Sequence, residues 1–500
     1  ADLSDWAVCS IQPSSSLQMG ASSSWISRTL PKRPSSSASV DDLGAAGTAQ
    51  SDKSARTSSP DEMETGGEVP YIPFKLSDLK AEVEAIRATP PEYVNYIGQV
   101  CTPTMVCNKA GQMVKTRDDG PWDLVVSISG STADEAYGFP FKMRLRFDKT
   151  YPMMPPKVRF QCVIHHALAD EDGGLPQRFF RVMPRDDRKA CTVQLTLLAM
   201  HDFLMNPLQS LKIKPEQAPA QLFDAIEANE RMNAERLSVI RRYQKMAKHP
   251  ELFKNPACFQ ESWFEPGLWR ASQANTPEAW RAILTENLPG EVFSFKMFTD
   301  AFCETLVEEI FNFYASGLPA RRPNSMNNYG IILNDIGMEP FIDGLQRLLQ
   351  PLGELLFPGA GDVWDGHHCF IVRYREGEDL GLDMHTDDSD VTFNICLGLD
   401  FDGAGLQFCG LMGMPNHRKH TYTHKHVKGS CVCHLGRKRH GADDISSGER
   451  LNLILWNHSS TYRSCEEYTS PPYSVEAGPP DEVCVSYTHD RDYGKYKEYP

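Results

Sequence analysis

The sequence lacks several patterns that would place it in a special class of protein. Across its 500 residues no run approaches the roughly 18 consecutive apolar residues that a membrane-spanning helix needs. No basic-then-apolar signal peptide opens the chain, although a first residue of Ala weakens any inference about targeting. The 14 cysteines include no Cys-x-x-Cys pair. Such scattered cysteines favour reduced, mostly buried thiols over a disulfide framework, so we expect a cytoplasmic or nuclear protein.

An excess of positive charge is also absent. The net charge is −15, from 51 basic and 66 acidic residues, which argues against a protein that coats nucleic acid, though not against a local basic surface. With 41% apolar and 23% charged residues the composition is that of ordinary globular domains. A chain of this length is too long for one hydrophobic core, so we expect two or three domains.

Residues 1 to 70 form a serine-rich segment with few apolar residues. It holds 17 serines and shows no apolar periodicity. Because it cannot bury enough surface to offset chain entropy, it is predicted to be disordered. A Ser-rich transit peptide is the alternative, but Asp2 and Asp5 stand where such peptides avoid acidic residues.

Residues 71–250 have the pattern of a compact α+β domain. Apolar residues at helical spacing begin at Leu76, and Pro90 with Pro91 ends that helix. Three alternating runs, 122–129, 141–147 and 157–163, predict antiparallel strands. Two helical stretches follow, 192–204 and 219–248, which completes the domain.

Prolines punctuate residues 251–289, which we interpret as a linker. Residues 290–500 contain two helical patterns, one around Leu306 and one around Leu349, followed by many short β-type runs. This order predicts a double-stranded β-helix, or jelly roll, backed by helices.

His385 and Asp387 have the spacing of a metal site. Residues at i and i+2 of an extended backbone share one face, so both side chains reach one metal ion. Alone the pair is unspecific, but β-type runs follow it, and His440 lies in a strand-turn context further on. Two histidines and one carboxylate form the facial triad that holds iron(II) and leaves positions open for oxygen and a co-substrate. No catalytic residue is predicted beyond this iron centre.

Arg450 lies in the run GERLNLILW, whose alternation places it on the face opposite three leucines. An Arg buried there needs an anionic partner, because an unpaired buried charge costs several kcal/mol. A carboxylate binds the guanidinium group in a bidentate manner, and a dicarboxylic co-substrate provides one.

These motifs together resemble the prolyl and lysyl hydroxylase superfamily of 2-oxoglutarate oxygenases. The likeness is carried by HTDDSDVTFNICLG, GAGLQF and KGSCVCHLGRKRHGADDISSGERLNLILW, and it is closest to the lysyl hydroxylases. It implies that His385, Asp387 and His440 bind iron and that Arg450 binds the distal carboxylate of 2-oxoglutarate. Less directly, it assigns Tyr374 to the same carboxylate. It also implies O2 as co-substrate and ascorbate as a reductant that keeps the iron ferrous.

The segment before His440 is rich in histidine and basic residues. Five histidines lie there, and we favour a mobile basic loop over a zinc site because no cluster has zinc-type spacing; they are His417, His420, His424, His426 and His434. No Asp or Glu occurs between Gly403 and Ala442. An acidic protein substrate attracted by this run is one hypothesis, and a solvated face is the alternative. Asp383 and Asp388 are interpreted as solvated carboxylates.

Residues 76–248 resemble the ubiquitin-conjugating fold. The likeness is carried by LKAEVEAIRATPPEY, YPMMPPKVRF and LTLLAMHDFLMNPL. The family's His-Pro-Asn falls on His166-Ala167-Leu168 and its nucleophilic Cys falls on Pro176, so both chemical groups are absent. Cys191 matches a buried position of the family just before a helix. The resemblance therefore implies a catalytically inactive module that binds ubiquitin or a ubiquitin-pathway protein, or that simply packs against the oxygenase.

The sequence as a whole predicts an oxygenase that hydroxylates a C–H bond, with a Pro or Lys side chain of a protein as the substrate that the resemblance implies. Two alternatives are an oxygenase of nucleic-acid bases or lipids and a non-enzymatic ubiquitin-pathway adaptor with a vestigial iron site. Retention of all three ligands and of Arg450 speaks against the adaptor.

Overall fold

The structure is a computed structural model and describes residues 74–117, 120–130, 136–169, 173–175, 179–180, 191–214, 216, 218, 220–254, 259–490 and 493–497. The serine-rich segment lies outside these residues. The described residues belong to one compact unit. None of the described helices has the length and apolar character that crossing a membrane requires.

The N-terminal domain is a four-stranded antiparallel sheet with helices, as predicted. The strands pair in the order β1-β4-β5-β6, and β2 pairs with β3 alone. The elements are α1 (Leu76–Ala88), β1 (Val94–Ile97), β2 (Met105–Cys107), β3 (Met113–Lys115), β4 (Trp122–Ile128), β5 (Phe141–Phe147), β6 (Lys157–Phe160), α2 (Val193–Met205), α3 (Pro207–Ser210) and α4 (Ala220–Tyr243).

Strand β5 connects the two domains because its side chains alternate between two faces. Phe141, Met143, Leu145 and Phe147 are buried in the N-terminal core. The opposite face contacts the C-terminal domain, where Lys142 Nζ lies 3.0 Å from Asp343 Oδ2 and buried Arg144 pairs with Asp365. The first domain is thus docked on the second through polar contacts.

The C-terminal domain contains two antiparallel sheets. The larger pairs in the order β7-β8-β16-β12-β18-β10-β9, with β13 also on β18, and the smaller in the order β11-β17-β14-β15. Its strands are β7 (Thr285–Leu288), β8 (Val292–Lys296), β9 (Gly330–Ile332), β10 (Gly366–Arg375), β11 (Leu382–His385), β12 (Val391–Gly398), β13 (Phe401–Gly403), β14 (Leu406–Leu411), β15 (His420–His424), β16 (Ser430–Leu435), β17 (Lys438–Ala442) and β18 (Ile445–His458). The two sheets do not close into a continuous barrel.

Helices in this domain are α5 (Pro266–Ala274), α6 (Pro277–Ala282), α7 (Asp300–Ala315), α8 (Glu339–Leu356), α9 (Ser460–Arg463), α10 (Glu466–Thr469) and α11 (Tyr493–Tyr496). The main core joins residues of α7 and α8, such as Leu306 and Leu349, with residues of the larger sheet, such as Phe393 and Leu453. The alternation in β18 explains this arrangement, because its leucines lie in that core while Arg450 is on the other face.

The interpretation of residues 251–289 as a linker is wrong. Trp263, Phe264, Leu268 and Trp280 are buried in the main core of the C-terminal domain. Two of the prolines that suggested an irregular segment, Pro266 and Pro277, begin helices α5 and α6 instead. Proline is compatible with the first helical position, where its missing N–H leaves no hydrogen bond unmade.

Candidate metal centre

The structure brings the three predicted metal ligands together. His385 ends β11 and His440 lies in β17, and the two are directly opposed across the antiparallel pair. Asp387 follows β11. Ligand atoms of the three residues lie within 4.8 Å of one another. The Asp387 Oδ1 atom is 3.4 Å from His385 Nε2 and 3.5 Å from His440 Nε2.

Hydrogen bonds orient each ligand toward this common point. The Nδ1 of His385 donates to the backbone oxygen of Asp383, and the Nδ1 of His440 donates to that of Lys438, both at 2.8 Å. The Nε2 lone pairs are therefore directed at the centre, as in metal-binding histidines generally. Thr392 Oγ1 donates to Asp387 Oδ2 at 2.6 Å, which leaves Oδ1 for a metal.

The charge states of Asp387 and His385 suit a divalent metal. At His440 burial acts to lower the pKa, but the charge and hydrogen bond of Asp387 outweigh it and raise the pKa. Burial acts to raise the pKa of Asp387, but the charges and hydrogen bonds of His440 and His385 outweigh it and hold the pKa well below its usual range. Burial, followed by the charge of His440, lowers the pKa of His385. An ionised carboxylate beside a neutral imidazole is the donor set that metal binding requires.

Arg450 is buried without a counter-charge. It is 1% exposed, and among the described residues it forms no ion pair with a carboxylate. Its Nη1 donates to the backbone oxygen of Ala404, its guanidinium lies 4.6 Å from the centre of the Tyr374 ring, and its Nε has no partner. Burial lowers the pKa of Arg450. A buried cation in this state is stabilised by an anion, as the sequence predicts for the distal carboxylate.

Arg450 and Tyr374 face each other across β18 and β10. The Tyr374 hydroxyl accepts a hydrogen bond from Asn327 Nδ2 at 3.2 Å. All five predicted site residues line one cavity between the two sheets. Its other lining residues are Asn324, Asn327, Phe370, Val372, Leu382, Thr392, Asn394, Leu406, Ala442, Ile454 and Trp456.

Thr392 and Asn394 are site residues that the sequence analysis missed. Strand β12 is buried along its whole length, and two polar residues recur at period two in it. Polar side chains on one face of a fully buried strand must meet polar partners. This alternation is the signal that could have identified them.

Asp383 is not the solvated carboxylate that we expected, whereas the Asp388 side chain is 74% exposed and fits that interpretation. Asp383 Oδ2 accepts hydrogen bonds from Ser486 Oγ at 2.8 Å and from the backbone and side chain of Thr488. Asp388 Oδ1 pairs with Arg463 at 3.0 Å. Both partners come from the end of the chain, which no local pattern near Asp383 could indicate.

The contacts of Asp383 belong to a C-terminal strap, residues 470–490, that packs behind the smaller sheet. Cys484 of the strap forms a disulfide with Cys409 of β14, so the prediction of reduced thiols is wrong for this pair. Asp490 Oδ2 accepts from Arg439 Nη2 at 2.9 Å. The strap thus holds Arg439, next to His440, and Asp383, two residues before His385.

The histidine-rich segment is not a mobile basic loop. His420 and His424 bound strand β15, His434 lies in β16, and His417 is buried. Among the described residues, the group with the spacing to hold a metal ion is the triad alone. A zinc site in this segment therefore has no support in the described part of the chain.

Most of the basic run is neutralised by carboxylates from elsewhere in the chain. Five of its cations form ion pairs, namely Arg418, Lys419, Lys428, Lys438 and Arg439. Lys428, for example, lies 2.9 Å from Glu304. No acidic residue lies within the run, but carboxylates from other segments pair with most of its cations. This weakens the hypothesis of an acidic substrate.

The N-terminal domain lacks catalytic geometry at the described positions. His166 is buried, its Nε2 donates to the Phe203 backbone oxygen at 3.2 Å, and its ring stacks on Phe203. Burial lowers the pKa of His166 to about 4. Cys191 is buried just before α2, as predicted. Pro176 lies outside the described residues.

A facial triad beside a carboxylate-binding arginine defines the class of iron- and 2-oxoglutarate-dependent oxygenases, and comparison with known proteins agrees. The chain belongs to the family of the 2-oxoglutarate and iron-dependent oxygenase domain-containing proteins. It is 34% identical over 268 residues to the 2-oxoglutarate and iron-dependent oxygenase domain-containing protein 2 of Xenopus tropicalis. The matched region covers 51% of this chain and 76% of that protein. The OGFOD2-like domain matches residues 239–362, and the ubiquitin-conjugating enzyme domain matches residues 108–233.

Two further relatives extend the comparison. The oxygenase domain-containing protein ICU11 of Arabidopsis thaliana is 37% identical over 238 residues, which are 45% of this chain and 58% of that protein. Human procollagen-lysine,2-oxoglutarate 5-dioxygenase 1 is 29% identical over 201 residues, which are 38% of this chain and 25% of that protein. The chain thus spans little more than half of the plant relative and a quarter of the human one.

Proposed function

We propose that this protein is an iron(II)- and 2-oxoglutarate-dependent dioxygenase that hydroxylates a proline or lysine side chain of a protein. The observation that carries the proposal is the placement of His385, Asp387 and His440 in one cavity with an unpaired, buried Arg450. Two imidazoles and one carboxylate fit iron(II), and an unpaired guanidinium fits one end of a dicarboxylate.

Each residue has a defined task in this scheme. Iron(II) held by the triad would supply the redox chemistry that couples decarboxylation of 2-oxoglutarate to oxidation of a C–H bond by O2. Arg450 would hold the distal carboxylate, and Tyr374 stacks on the Arg450 guanidinium. Thr392 keeps the Asp387 carboxylate oriented. Ascorbate as a reductant remains an expectation drawn from the resemblance.

A protein substrate is supported by the procollagen-lysine relative, whose name specifies a lysine of a protein. A nucleic-acid substrate is less compatible with a net charge of −15 and a basic run already paired with carboxylates. A vestigial iron site is less compatible with a buried Arg450 that has no counter-charge among the residues that the structure describes.

The direct test is release of succinate by the 500-residue chain supplied with iron(II), 2-oxoglutarate and O2. Turnover that disappears on iron chelation supports the proposal, and no turnover under any iron supply contradicts it. Mass spectrometry of proteins captured by the iron-depleted enzyme would then identify the substrate. A captured protein that gains one oxygen atom on Pro or Lys after iron is restored would establish the substrate class.

We further propose that the N-terminal domain is a catalytically inactive ubiquitin-conjugating module that has become part of the oxygenase. This proposal is supported by the docking of Arg144 on Asp365 and by the buried, hydrogen-bonded state of His166. The chain should form no thioester with ubiquitin in the presence of activating enzyme and ATP. A reducible ubiquitin adduct at Cys191 or at any other thiol would contradict it.

A further inference from the structure

Next to Arg450 lies a group of buried polar atoms that the scheme above does not use. Arg450 Nε, Asn452 Oδ1 and His426 Nε2 are each buried and have no hydrogen-bond partner within the described part of the chain. Arg450 and Asn452 are two residues apart in β18 and therefore share one face of the strand. His426 is partly exposed as a residue, but its Nε2 is buried.

Hydrogen bonds determine which nitrogen of His426 carries the proton. Asn452 Nδ2 donates to Asn394 Oδ1 at 2.5 Å and to His426 Nδ1 at 3.4 Å. Because Nδ1 accepts, the proton of the neutral ring is on Nε2. Burial, then the charge of Arg450, holds the pKa of His426 well below its usual range, so the ring stays neutral.

The side chain thus presents a buried N–H donor without an acceptor, close to a buried cation without an anion. Leaving such a donor unpaired costs about 1–3 kcal/mol, and leaving the cation unpaired costs more. A carboxylate bound by Arg450 has acceptor capacity to spare, because its two oxygens accept about four hydrogen bonds and the guanidinium cannot fill them all. An apolar ligand or a cation would satisfy neither group.

We propose that His426 is a second donor to the distal carboxylate of 2-oxoglutarate, held in the donating tautomer by Asn452. This inference rests on the proposed function and deepens it, since it makes His426 a residue that selects a dicarboxylic over a monocarboxylic co-substrate. In this arrangement Arg450 provides the positive charge, and the Nε2–H group of His426 donates a hydrogen bond to the carboxylate from a second direction.

The test is a binding measurement on the 500-residue chain loaded with manganese(II) in the absence of O2, since carboxylate and imidazole ligands also accept this metal. The His426→Phe variant keeps an aromatic ring but removes the donor, and it should bind 2-oxoglutarate about tenfold more weakly, the effect of one charge-assisted hydrogen bond. His426→Gln retains an N–H donor and should lose no more than about threefold. The matched control is His420→Phe, at the other end of β15, whose Nε2 contacts Gln407 and Thr423; it should bind as the parent does.

A second ligand separates recognition from structure. The monocarboxylate 2-oxobutyrate lacks the distal carboxylate, so its binding should be the same in His426→Phe and the parent. Equal weakening of both ligands, or 2-oxoglutarate affinity within twofold of the parent, would overturn the role of His426. Asn452→Leu removes the hydrogen bond to His426 Nδ1, so the ring is no longer held in the donating tautomer. This variant should bind 2-oxoglutarate more weakly and 2-oxobutyrate as the parent does, and it replaces His426→Phe if that variant does not fold. A parent chain that binds no 2-oxoglutarate would instead contradict the proposed function itself.

Discussion

Two buried arginines, one at the contact between the domains and one in the cavity, are satisfied in opposite ways. Arg236 of α4 donates to Asp335 Oδ1 at 2.9 Å and to the Asn334 backbone oxygen at 2.8 Å, and it also pairs with Glu339. Arg450 has one backbone acceptor and an aromatic ring. Both are nearly inaccessible to solvent. The first is complete without a ligand and the second is not, which distinguishes a structural charge from a binding one.

The histidines of the two domains show the same contrast. His166 has partners on both ring nitrogens, since Nδ1 accepts from the Leu168 amide at 3.2 Å and Nε2 donates to Phe203. His385 and His440 are each held at Nδ1 by a backbone oxygen, with Nε2 directed at Asp387. A buried polar group with all partners present indicates packing, whereas one with a partner missing indicates a ligand.

The largest expected effect is on the metal ligands. Changing Asp387 to Ala should reduce iron-dependent succinate release by at least about 100-fold, since changes to groups that merely support a metal ligand already cost 10–100-fold. His385→Ala should act alike. Both variants should unfold at nearly the parent's denaturant concentration, because the ligands line a cavity and not the core. Succinate release at the parent's rate by either variant would remove the metal assignment.

The arginine comparison is tested by making the same change at both positions. Arg236→Ala leaves Glu339 without this cation and Asp335 with Arg321 alone. It should lower the free energy of unfolding by about 3 kcal/mol, with the KM for 2-oxoglutarate unchanged. Arg450→Ala should raise that KM about tenfold to hundredfold, since a charge-assisted pair contributes about 1.5–3 kcal/mol. Its unfolding free energy should not fall, because an unpaired buried cation is removed. Equal destabilisation by both changes would contradict the distinction between a structural arginine at 236 and a ligand-binding arginine at 450.

The histidine comparison predicts a dependence on pH. Burial lowers the pKa of His166 from 6.5 to about 4, so the unfolded chain takes up a proton more readily than the folded one. The resulting stability is present above pH 6.5 and is lost as the pH falls toward 4, by about 3 kcal/mol in total. His166→Phe should flatten this acid limb in denaturant titrations, while His420→Phe, at an exposed position, should not. An unchanged limb would show that His166 is accessible to protons in the folded state.

The smallest effect is expected at the basic run. Lys428 forms an exposed pair with Glu304, and such pairs contribute about 0–1 kcal/mol. The double change Lys425→Glu and Lys428→Glu should therefore raise the KM for a captured protein substrate less than about threefold, and uncoupled 2-oxoglutarate turnover should not change. A larger rise that shrinks at high salt would restore the hypothesis of an acidic substrate.

Local patterns predicted what depends on neighbouring residues. Alternation located strands β4 to β6 and placed Arg450 opposite the leucines of β18, and the His-x-Asp spacing identified two ligands. What the sequence could not indicate are contacts between distant segments. The disulfide joins cysteines 75 residues apart, and Lys438 of the basic run pairs with Glu291. Periodicity carries no information about such pairs, because they depend on how the sheets stack.

The interpretation of residues 251–289 as a linker was wrong for a different reason. Pro266 and Pro277 have the same local effect at a helix start as in a loop, because in both places they supply no N–H donor. The large aromatic content of the segment was the better signal, since Trp263, Phe264 and Trp280 cannot remain exposed at low cost.

The C-terminal strap has a consequence for biosynthesis. Asp383, whose backbone oxygen orients His385, is held by Ser486 and Thr488, and Arg439, next to His440, is held by Asp490. The geometry of the centre thus depends on residues made about fifty positions after its last ligand. A nascent chain that has already exposed both histidines still lacks the groups that fix their orientation. Tight iron uptake by this protein is therefore expected only after the strap has left the ribosome.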